Sequence, residues 1–241
     1  MSTHFQSAGA TITGKVRKHN EDAILVRDDL GLWVVADGMG GHSAGDYASH
    51  LIVERLGALT RTGSVFDFVE AIEDALAQVN GELINAALER GVDIIGSTVV
   101  LLVHTKEFML CGWVGDSRAY CFEANHIEQV TTDHVVGVRR GDVTQFSGQG
   151  PARPEAGAGA LTRAVGAEDL LYVDWAVAGS RRGMQFVLCS DGINKEMSDA
   201  EIEAECRRRH SAQELTASLM DIAQKRAARD NVSAVTVRLQ D

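Results

Sequence analysis

Four aspartates stand where an apolar, strand-like run of residues ends or begins. They are Asp37 after residues 32–36, Asp116 after residues 108–114, Asp191 after residues 185–190, and Asp230 before residues 232–239. A carboxylate at such a position is costly to bury unless a cation neutralises it. One strand-end aspartate is ordinary, but its recurrence along the chain indicates a site for a divalent metal ion.

Glycines follow two of these aspartates directly. Gly38 follows Asp37, and Gly192 follows Asp191. Because glycine has no Cβ, its backbone can approach a bound ion or phosphate closely and can adopt a positive φ. The Asp37 segment alone fits a tight turn with a solvated aspartate about equally well. The second Asp-Gly pair, after another strand, favours the metal interpretation.

The types of donor atom at these positions indicate which metal ion the site would bind and which reaction it would support. Carboxylates without a histidine or cysteine cluster suit Mg²⁺ or Mn²⁺ rather than Zn²⁺. A carboxylate shared by two such ions, about 3.5 to 4 Å apart, would hold a bridging water and lower its pKa. The natural substrate is a phosphate ester, whose oxygens a guanidinium such as Arg17 can bind bidentately. Arg17 precedes Glu21 and Asp22 in a polar stretch, for which a solvated charged turn is the alternative.

The elements that must position these residues are strands interspersed with helices. A tight hairpin at residues 28–31 is predicted to join strands at 23–27 and 32–36. Helical periodicity follows the glycines, with a capping box at Ser43 and Asp46, and a second helix begins near Ser64 and ends at Gly91. Further predicted strands cover residues 98–103, 108–114, 118–122, 127–130, 171–177, 185–190 and 232–239, and further helices begin near Asp199 and Ser211. Antiparallel-type strands between helix pairs favour an α+β sandwich over alternating βαβ units.

Length, composition and charge restrict the class of protein. The chain has 241 residues, 45% hydrophobic and 24% charged, which is typical of a globular protein and sufficient for one large domain. Acidic residues outnumber basic ones by 34 to 23, and the net charge of −11 argues against nucleic acid or an anionic membrane as partner. There is no signal-peptide pattern, no apolar run long enough to span a bilayer and no CxxC spacing. We therefore expect a cytoplasmic protein with reduced, buried cysteines.

Residues 9–15 match the phosphate-binding pattern G-x-x-x-x-G-K. Val16, however, stands where a serine or threonine should bind magnesium, and no hydrophobic strand precedes the segment. We therefore reject nucleotide binding at this position.

The segment from Val135 to Ala160 is predicted to be a long irregular loop. It holds both prolines of the chain, several glycines and little apolar periodicity. Loops of this length in compact domains are commonly lids or binding loops. We favour a flap over the site, at residues 133–160, over a linker between two domains, and so predict one catalytic domain over residues 1–241.

Short motifs along almost the whole chain resemble those of the metal-dependent serine/threonine protein phosphatases of the PPM (type 2C) family, in their compact bacterial form. They are GKVRKHNED from Gly14, VADGMGGH from Val35, GST from Gly96, WVGDSR from Trp113, TTDH from Thr131, LTRAVG from Leu161, LCSDG from Leu188 and DNVS from Asp230. The resemblance implies a central antiparallel β-sandwich flanked by pairs of helices, with two metal ions, or three, in a cleft at one end.

The resemblance also implies a role for each candidate residue. By position, Asp37 would bridge two metals, Gly38 would offer its carbonyl to one of them, Asp191 and Asp230 would bind the other, Glu21 would orient metal-bound water with Asp22 beside it, Asp116 would help Asp191 to hold a third metal, and Arg17 would bind the phosphate.

The chain departs from the family pattern at two positions. Animal members carry a histidine, proposed as general acid, where this chain has Met39. Nearby His42 is expected to be structural, which leaves leaving-group protonation to metal-bound water. Many relatives have serine where this chain has Val135, so the resemblance does not settle flap conformation and substrate preference.

The function implied is hydrolysis of phosphoserine and phosphothreonine on proteins, with Mn²⁺ or Mg²⁺, opposing a serine/threonine kinase in bacterial signalling. One alternative is a catalytically inactive regulator that binds phosphoproteins, although acids at every expected metal position argue against it. A second is a two-metal phosphoesterase acting on small molecules.

Overall fold

The computed structural model describes residues 5–40, 44–136, 160–209 and 211–240 of the chain. The strands are β1 (Phe5–Ile12), β2 (Asp22–Arg27), β3 (Leu32–Met39), β4 (Gly96–Ser97), β5 (Val99–His104), β6 (Phe108–Val114), β7 (Arg118–Glu123), β8 (His126–Gln129), β9 (Asp174–Gly179), β10 (Gln185–Cys189) and β11 (Val232–Leu239). The helices are α1 (Ala44–Gly57), α2 (Val65–Arg90), α3 (Asp191–Asn194), α4 (Asp199–Arg208) and α5 (Ala212–Lys225).

These strands form two antiparallel sheets that face each other. One sheet has the order β1-β11-β10-β7-β8, and the other has the order β2-β3-β5-β6-β9, with β4 paired to β3. Helices α1 and α2 cover the outer face of the second sheet, and α4 and α5 cover that of the first. The four α-β-β-α layers confirm the predicted α+β sandwich flanked by helix pairs.

The side chains of β3 show how the layers are held together. Leu32, Val34 and Ala36 pack against α1 and α2, whereas Trp33 and Val35 pack between the two sheets. Successive strand residues point to opposite faces, so a strand buried on both faces needs apolar residues throughout. This requirement explains the uninterrupted apolar run that precedes Asp37. The same alternation places Asp37 on the inter-sheet face, at the end of the core.

Local signals in the sequence locate the longest helix correctly. Ser64 is the N-cap of α2 and forms a capping box with Asp67, and Gly91 ends the helix with a left-handed φ of 64°. Glycine adopts that conformation without a Cβ penalty. Leu88, near the end of this helix, is 75% exposed although it is apolar.

Other boundaries differ from the prediction. Strand β3 does not end before Asp37 but continues to Met39, because Gly38 and Met39 pair with Ser97 and Gly96 of β4. Asp191 is the first residue of the short helix α3. The strand predicted at residues 171–177 is β9 and begins only at Asp174.

Several predictions lie outside the described residues: the roles of His42 and Ser43, and the flap except for its two ends. All four cysteines are unpaired thiols, and three of them are buried. Within the described ranges, no helix combines the length and apolar character needed to cross a membrane.

Candidate metal centre

One end of the sandwich carries an acidic pocket of about 280 Å³ between the two sheets. Strands β3 and β10 end there, β11 begins there, and the turn between β6 and β7 lies beside them. Among the described residues, the charged and glycine residues on its wall are Arg17, Glu21, Asp37, Gly38, Gly40, Asp116, Asp191, Lys195 and Asp230. The antiparallel topology therefore brings together carboxylates from distant parts of the chain.

Asp37 and Gly38 are held rigidly by their backbones. Thr98 donates its N–H to the Asp37 carbonyl oxygen at 2.8 Å, and the Gly38 N–H donates to the Glu21 carbonyl oxygen at 3.0 Å. A Cβ on residue 38 would overlap the carbonyl group of Gly45 in α1. Only glycine allows the helix to approach β3 this closely, so α1 lies directly beside the pocket.

Glu21 reaches the pocket from the loop before β2, and Asn231 holds that loop in place. The Asn231 side chain accepts a hydrogen bond from the Glu21 N–H at 2.9 Å and donates to the carbonyl oxygens of Thr13 and His19, both at 2.9 Å. Burial raises the pKa of Glu21. The start of β11 therefore determines where the loop carrying Arg17 and Glu21 lies.

Asp22 lies beneath the pocket rather than on its wall. It is 2% exposed, and its Oδ2 accepts hydrogen bonds from Ser190 Oγ at 2.8 Å and from Ser233 Oγ at 2.6 Å. Its Oδ1 is buried and has no hydrogen-bond partner among the described residues. Burial raises the pKa of Asp22 to about 6. Asp22 thus connects β2 to β11 and to Ser190, the residue that follows β10 in the opposite sheet.

Asp116 lies in the turn between β6 and β7. The Gly115 N–H donates to Nδ1 of His134 at 3.0 Å, and the His134 N–H donates back to the Gly115 carbonyl oxygen at 2.9 Å. On the other side, the hydroxyls of Ser117 and Thr98 are hydrogen-bonded at 2.7 Å. The turn that presents Asp116 is therefore braced by the first residues of the predicted flap.

Asp191 and Asp230 are paired with side-chain cations. Arg17 Nε lies 2.9 Å from Asp230 Oδ1, and Arg17 Nη2 donates to Asp230 Oδ2 at 3.0 Å. Lys195 Nζ forms an ion pair with Asp191 Oδ2 and lies 3.8 Å from Asp230 Oδ2. The remaining oxygen of Asp191, Oδ1, is buried and has no partner in the described part of the chain.

Burial, followed by repulsion between neighbouring carboxylates, raises the pKa values of the aspartates in the pocket. Burial, and then the negative charges of the surrounding aspartates, raise the pKa of Asp37 well above its usual value. Burial and the nearby Asp191 raise the pKa of Asp116 to about 6, and burial raises that of Asp191. Carboxylates this close together resist being ionised at once.

These residues fit a divalent metal. A cation of charge +2 would relieve the repulsion and would give the unpaired Asp191 Oδ1 a partner, and oxygen donors are those that Mg²⁺ and Mn²⁺ prefer. In the described ranges, no group of three or more His, Cys, Asp or Glu side chains is arranged so that these side chains alone could hold a metal ion. The carboxylates surround an open pocket, where water and the substrate can complete the coordination.

A larger cavity, of about 570 Å³, lies at the opposite end of β3. Two of its acids already have partners: Asp28 accepts hydrogen bonds from Ser7 and Trp33, and Asp29 is paired with Arg27. Its carboxylates do not converge as those of the acidic pocket do. Cavity size alone would therefore indicate the wrong end of the sandwich.

Of the sequence-predicted site residues, the structure brings Arg17, Glu21, Asp37, Gly38, Asp116, Asp191 and Asp230 to one pocket and places Asp22 behind it. Sequence reasoning missed Asn231 and Lys195. The first lies in the recognised DNVS motif but received no role. The second follows Asp191 by four residues, a spacing at which helical side chains meet.

The fold and the acidic pocket together are those of a metal-dependent phosphatase. Residues 15–235 match the family model of protein phosphatase 2C, so the chain belongs to this family. This family assignment confirms the resemblance drawn from the motifs.

The relatives include bacterial serine/threonine phosphatases of similar length. The chain is 30% identical to the serine/threonine phosphatase Stp of Listeria welshimeri over 238 residues, covering 94% of this chain and 93% of Stp. It is 37% identical in sequence to the structure of PppA, described as a key regulatory component of T6SS in Pseudomonas aeruginosa, with a TM-score of 0.88 and 98% of both chains covered. The catalytic domain of the phosphatase PstP, solved with two manganese ions, is 25% identical, with a TM-score of 0.82 and coverage of 98% and 99%.

The protein is therefore a metal-dependent serine/threonine protein phosphatase that uses manganese or magnesium and acts on phosphoproteins. A catalytically inactive regulator is not supported.

Proposed function

We propose that the acidic pocket is the catalytic centre. In this assignment Asp37, the carbonyl group of Gly38, Asp191 and Asp230 would hold two divalent ions, and Asp116 together with Asp191 would hold a third. The observation that carries the proposal is the convergence of five carboxylates on one pocket, with the buried oxygen of Asp191 left unpaired.

When bound, Mn²⁺ or Mg²⁺ would activate water as a nucleophile and neutralise charge on the phosphate. The residues of the chain orient the reactants. Arg17 projects its guanidinium over the pocket from the loop before β2, where it would bind two phosphate oxygens and align the ester for in-line attack. Its pairing with both oxygens of Asp230 supports this role, because the same guanidinium geometry can bind two oxygens of a phosphate.

Glu21 and Asp22 have different roles because Glu21 lines the pocket, whereas Asp22 lies beneath it. Glu21 lies on the pocket wall, where it would accept a hydrogen bond from the attacking water and orient it. Asp22 is a positioning residue in this proposal, because its hydrogen bonds run to Ser190 and Ser233 and not into the pocket.

Met39 stands on the pocket wall, and no histidine lines it within the described ranges. The chain therefore offers no imidazole to protonate the leaving serine or threonine oxygen at this position. We assign that proton to water.

The substrates are proteins phosphorylated by serine/threonine kinases, and the phosphatase opposes such a kinase in bacterial signalling. One catalytic domain, with a flap at residues 133–160, carries the activity. We place the reaction in the cytoplasm, and the unpaired cysteines support a reducing compartment.

Hydrolysis of a phosphothreonine peptide tests the proposal, with Mn²⁺ added, withheld, or removed by EDTA, and with Asp191→Asn in parallel. We expect turnover only with both the metal and Asp191. Turnover that is indifferent to EDTA, or that survives in Asp191→Asn, would refute the assignment of the pocket. A nucleotide monophosphate offered beside the peptide should be the poorer substrate.

A further inference from the structure

Lys195 has no place in the proposed catalytic assignment, yet it lies inside the acidic pocket. It follows α3 directly and caps it, and its backbone N–H donates to the Asp191 carbonyl oxygen at 2.9 Å. This turn of helix fixes the base of the side chain one turn after Asp191. The backbone of Lys195 is therefore fixed beside the pocket, whereas its side chain can rotate.

The ammonium of Lys195 lies between two carboxylates that are proposed to bind the same ion. It forms an ion pair with Asp191 Oδ2 and lies 3.8 Å from Asp230 Oδ2. A divalent cation bound to those oxygens would be within a few ångströms of this positive charge, where like charges repel strongly. Lysine and metal therefore compete for the same oxygens.

The lysine also has space to leave. Its side chain is 58% exposed and borders a neighbouring cavity of about 440 Å³. The wall of that cavity also includes Gly192, Glu196, Ala227, Arg229 and Asp230. Glu196 contributes a carboxylate to that cavity, and its Oε2 accepts a hydrogen bond from the Ala227 N–H at 3.2 Å. The side chain can reach that cavity by rotating about its own bonds, without unwinding α3.

We propose that Lys195 is a tethered competitor that lowers the affinity of the phosphatase for its metal. This inference rests on the proposed function. Without metal, the ammonium neutralises Asp191 and holds its carboxylate in place; with metal, it moves to the Glu196 side. The cell must then supply enough Mn²⁺ or Mg²⁺ to displace a built-in cation, so Lys195 sets the metal concentration at which the enzyme becomes active.

The chain offers a matched control in Lys225. Lys225 pairs with Asp221 at 2.7 Å, with the same i to i+4 spacing, but on the exposed face of α5. Lys195→Gln and Lys225→Gln therefore remove the same charge from the same kind of pair, inside and outside the pocket. Any effect of net charge alone should appear equally in both variants.

Isothermal titration of Mn²⁺ into EDTA-treated, dialysed protein tests the proposal without measuring turnover. We expect Lys195→Gln to bind Mn²⁺ about tenfold more tightly than the native chain, because the substitution removes a partly solvated charge that is paired with Asp191 and lies 3.8 Å from Asp230. Lys225→Gln should match the native chain, and Lys195→Arg, which keeps the charge, should stay close to it. Without metal, Lys195→Gln should also melt at a lower temperature than Lys225→Gln.

Two results would overturn the competitor role. In the first, Lys195→Gln binds Mn²⁺ with the same dissociation constant as Lys225→Gln, and in the second it binds with a larger one. A native chain that binds Mn²⁺, together with an Asp191→Asn variant that does not, keeps the metal assignment intact in either case. If Asp191→Asn binds as the native chain does, the proposed metal centre itself is wrong. The two failures are therefore distinguishable.

Discussion

Asp22 and Asp37 are directly opposite each other on β2 and β3, yet only Asp37 lies on the pocket wall. Cross-strand partners project to the same face of a sheet, here the face between the two sheets. Asp22 is bonded to Ser190 and Ser233 of the opposite sheet, whereas Asp37 is open to the pocket. Two carboxylates that are cross-strand neighbours therefore have different surroundings, and we propose that Asp22 is structural and that Asp37 binds metal.

The first prediction concerns Asp22 and pH. Its pKa is about 6 in the folded chain against a reference value of 3.8, so the folded state binds the proton more tightly than the unfolded state does. The contribution of protonated Asp22 to the free energy of unfolding is fully present below about pH 4 and is lost as the pH rises through 6. A difference of about two pKa units corresponds to about 3 kcal/mol.

Asn at position 22 cannot ionise and can still accept both serine hydrogen bonds. In EDTA, the free energy of unfolding of Asp22→Asn, relative to the native chain, should therefore rise by about 2 to 3 kcal/mol from pH 4 to pH 7. Urea unfolding at several pH values measures this difference. Asp74→Asn, on the exposed face of α2, is the control and should show no such trend. If the difference in the free energy of unfolding between Asp22→Asn and the native chain does not change with pH, then Asp22 is ionised in the folded chain.

The second prediction concerns Asp37. Asp37→Asn should lower the Mn²⁺-dependent turnover of a phosphothreonine peptide by more than about a hundredfold, since even outer-shell changes at metal sites cost 10- to 100-fold. The metal-free variant should be at least as stable as the native chain, because the substitution removes a repelled charge without changing volume. Kinetic assays and thermal melts check both outcomes. Near-native turnover would remove Asp37 from the metal site.

The third prediction concerns Arg17. At saturating Mn²⁺, Arg17→Ala should raise KM for the phosphopeptide about tenfold or more, because a charge-assisted bidentate contact to phosphate is lost. The effect should fall mainly on KM if the guanidinium binds substrate before the transition state. Arg55, which is paired with Glu82 between α1 and α2, gives the matched control. Equal KM values for Arg17→Ala and Arg55→Ala would exclude Arg17 from phosphate binding.

The fourth prediction concerns Asn231, which is 4% exposed. Its side chain makes three hydrogen bonds to the backbone of the loop before β2, so Asn231→Ala leaves three backbone groups without their partners. We expect a loss of about 2 to 4 kcal/mol in the free energy of unfolding, together with reduced turnover at saturating metal. Gln213→Ala, which removes an exposed amide on α5, should cost under about 0.5 kcal/mol. Equal stabilities of the two variants would contradict this role.

Much of the local structure could be predicted because it depends on near neighbours. The capping box at Ser64 and the glycine at position 91 define α2, and β11 begins and ends at the predicted residues. The extent of β3 could not be read in this way, because its last residues are held by a two-residue strand almost sixty positions later. Pairing over such distances leaves no local pattern.

The sequence by itself determined which residues have the chemistry of a phosphatase site. Carboxylates at strand ends and a nearby arginine can be recognised from residue type and position alone. Only the tertiary structure decided which of them meet. Arg17 contacts Asp230 across 213 positions of the chain, and Asp22 contacts Ser233 across 211. Burial in the closed sandwich likewise raises the pKa of Asp22, and the course of α3 directs Lys195 into the pocket. These properties depend on sheet order and solvent exclusion, which are set by the packing of the whole chain.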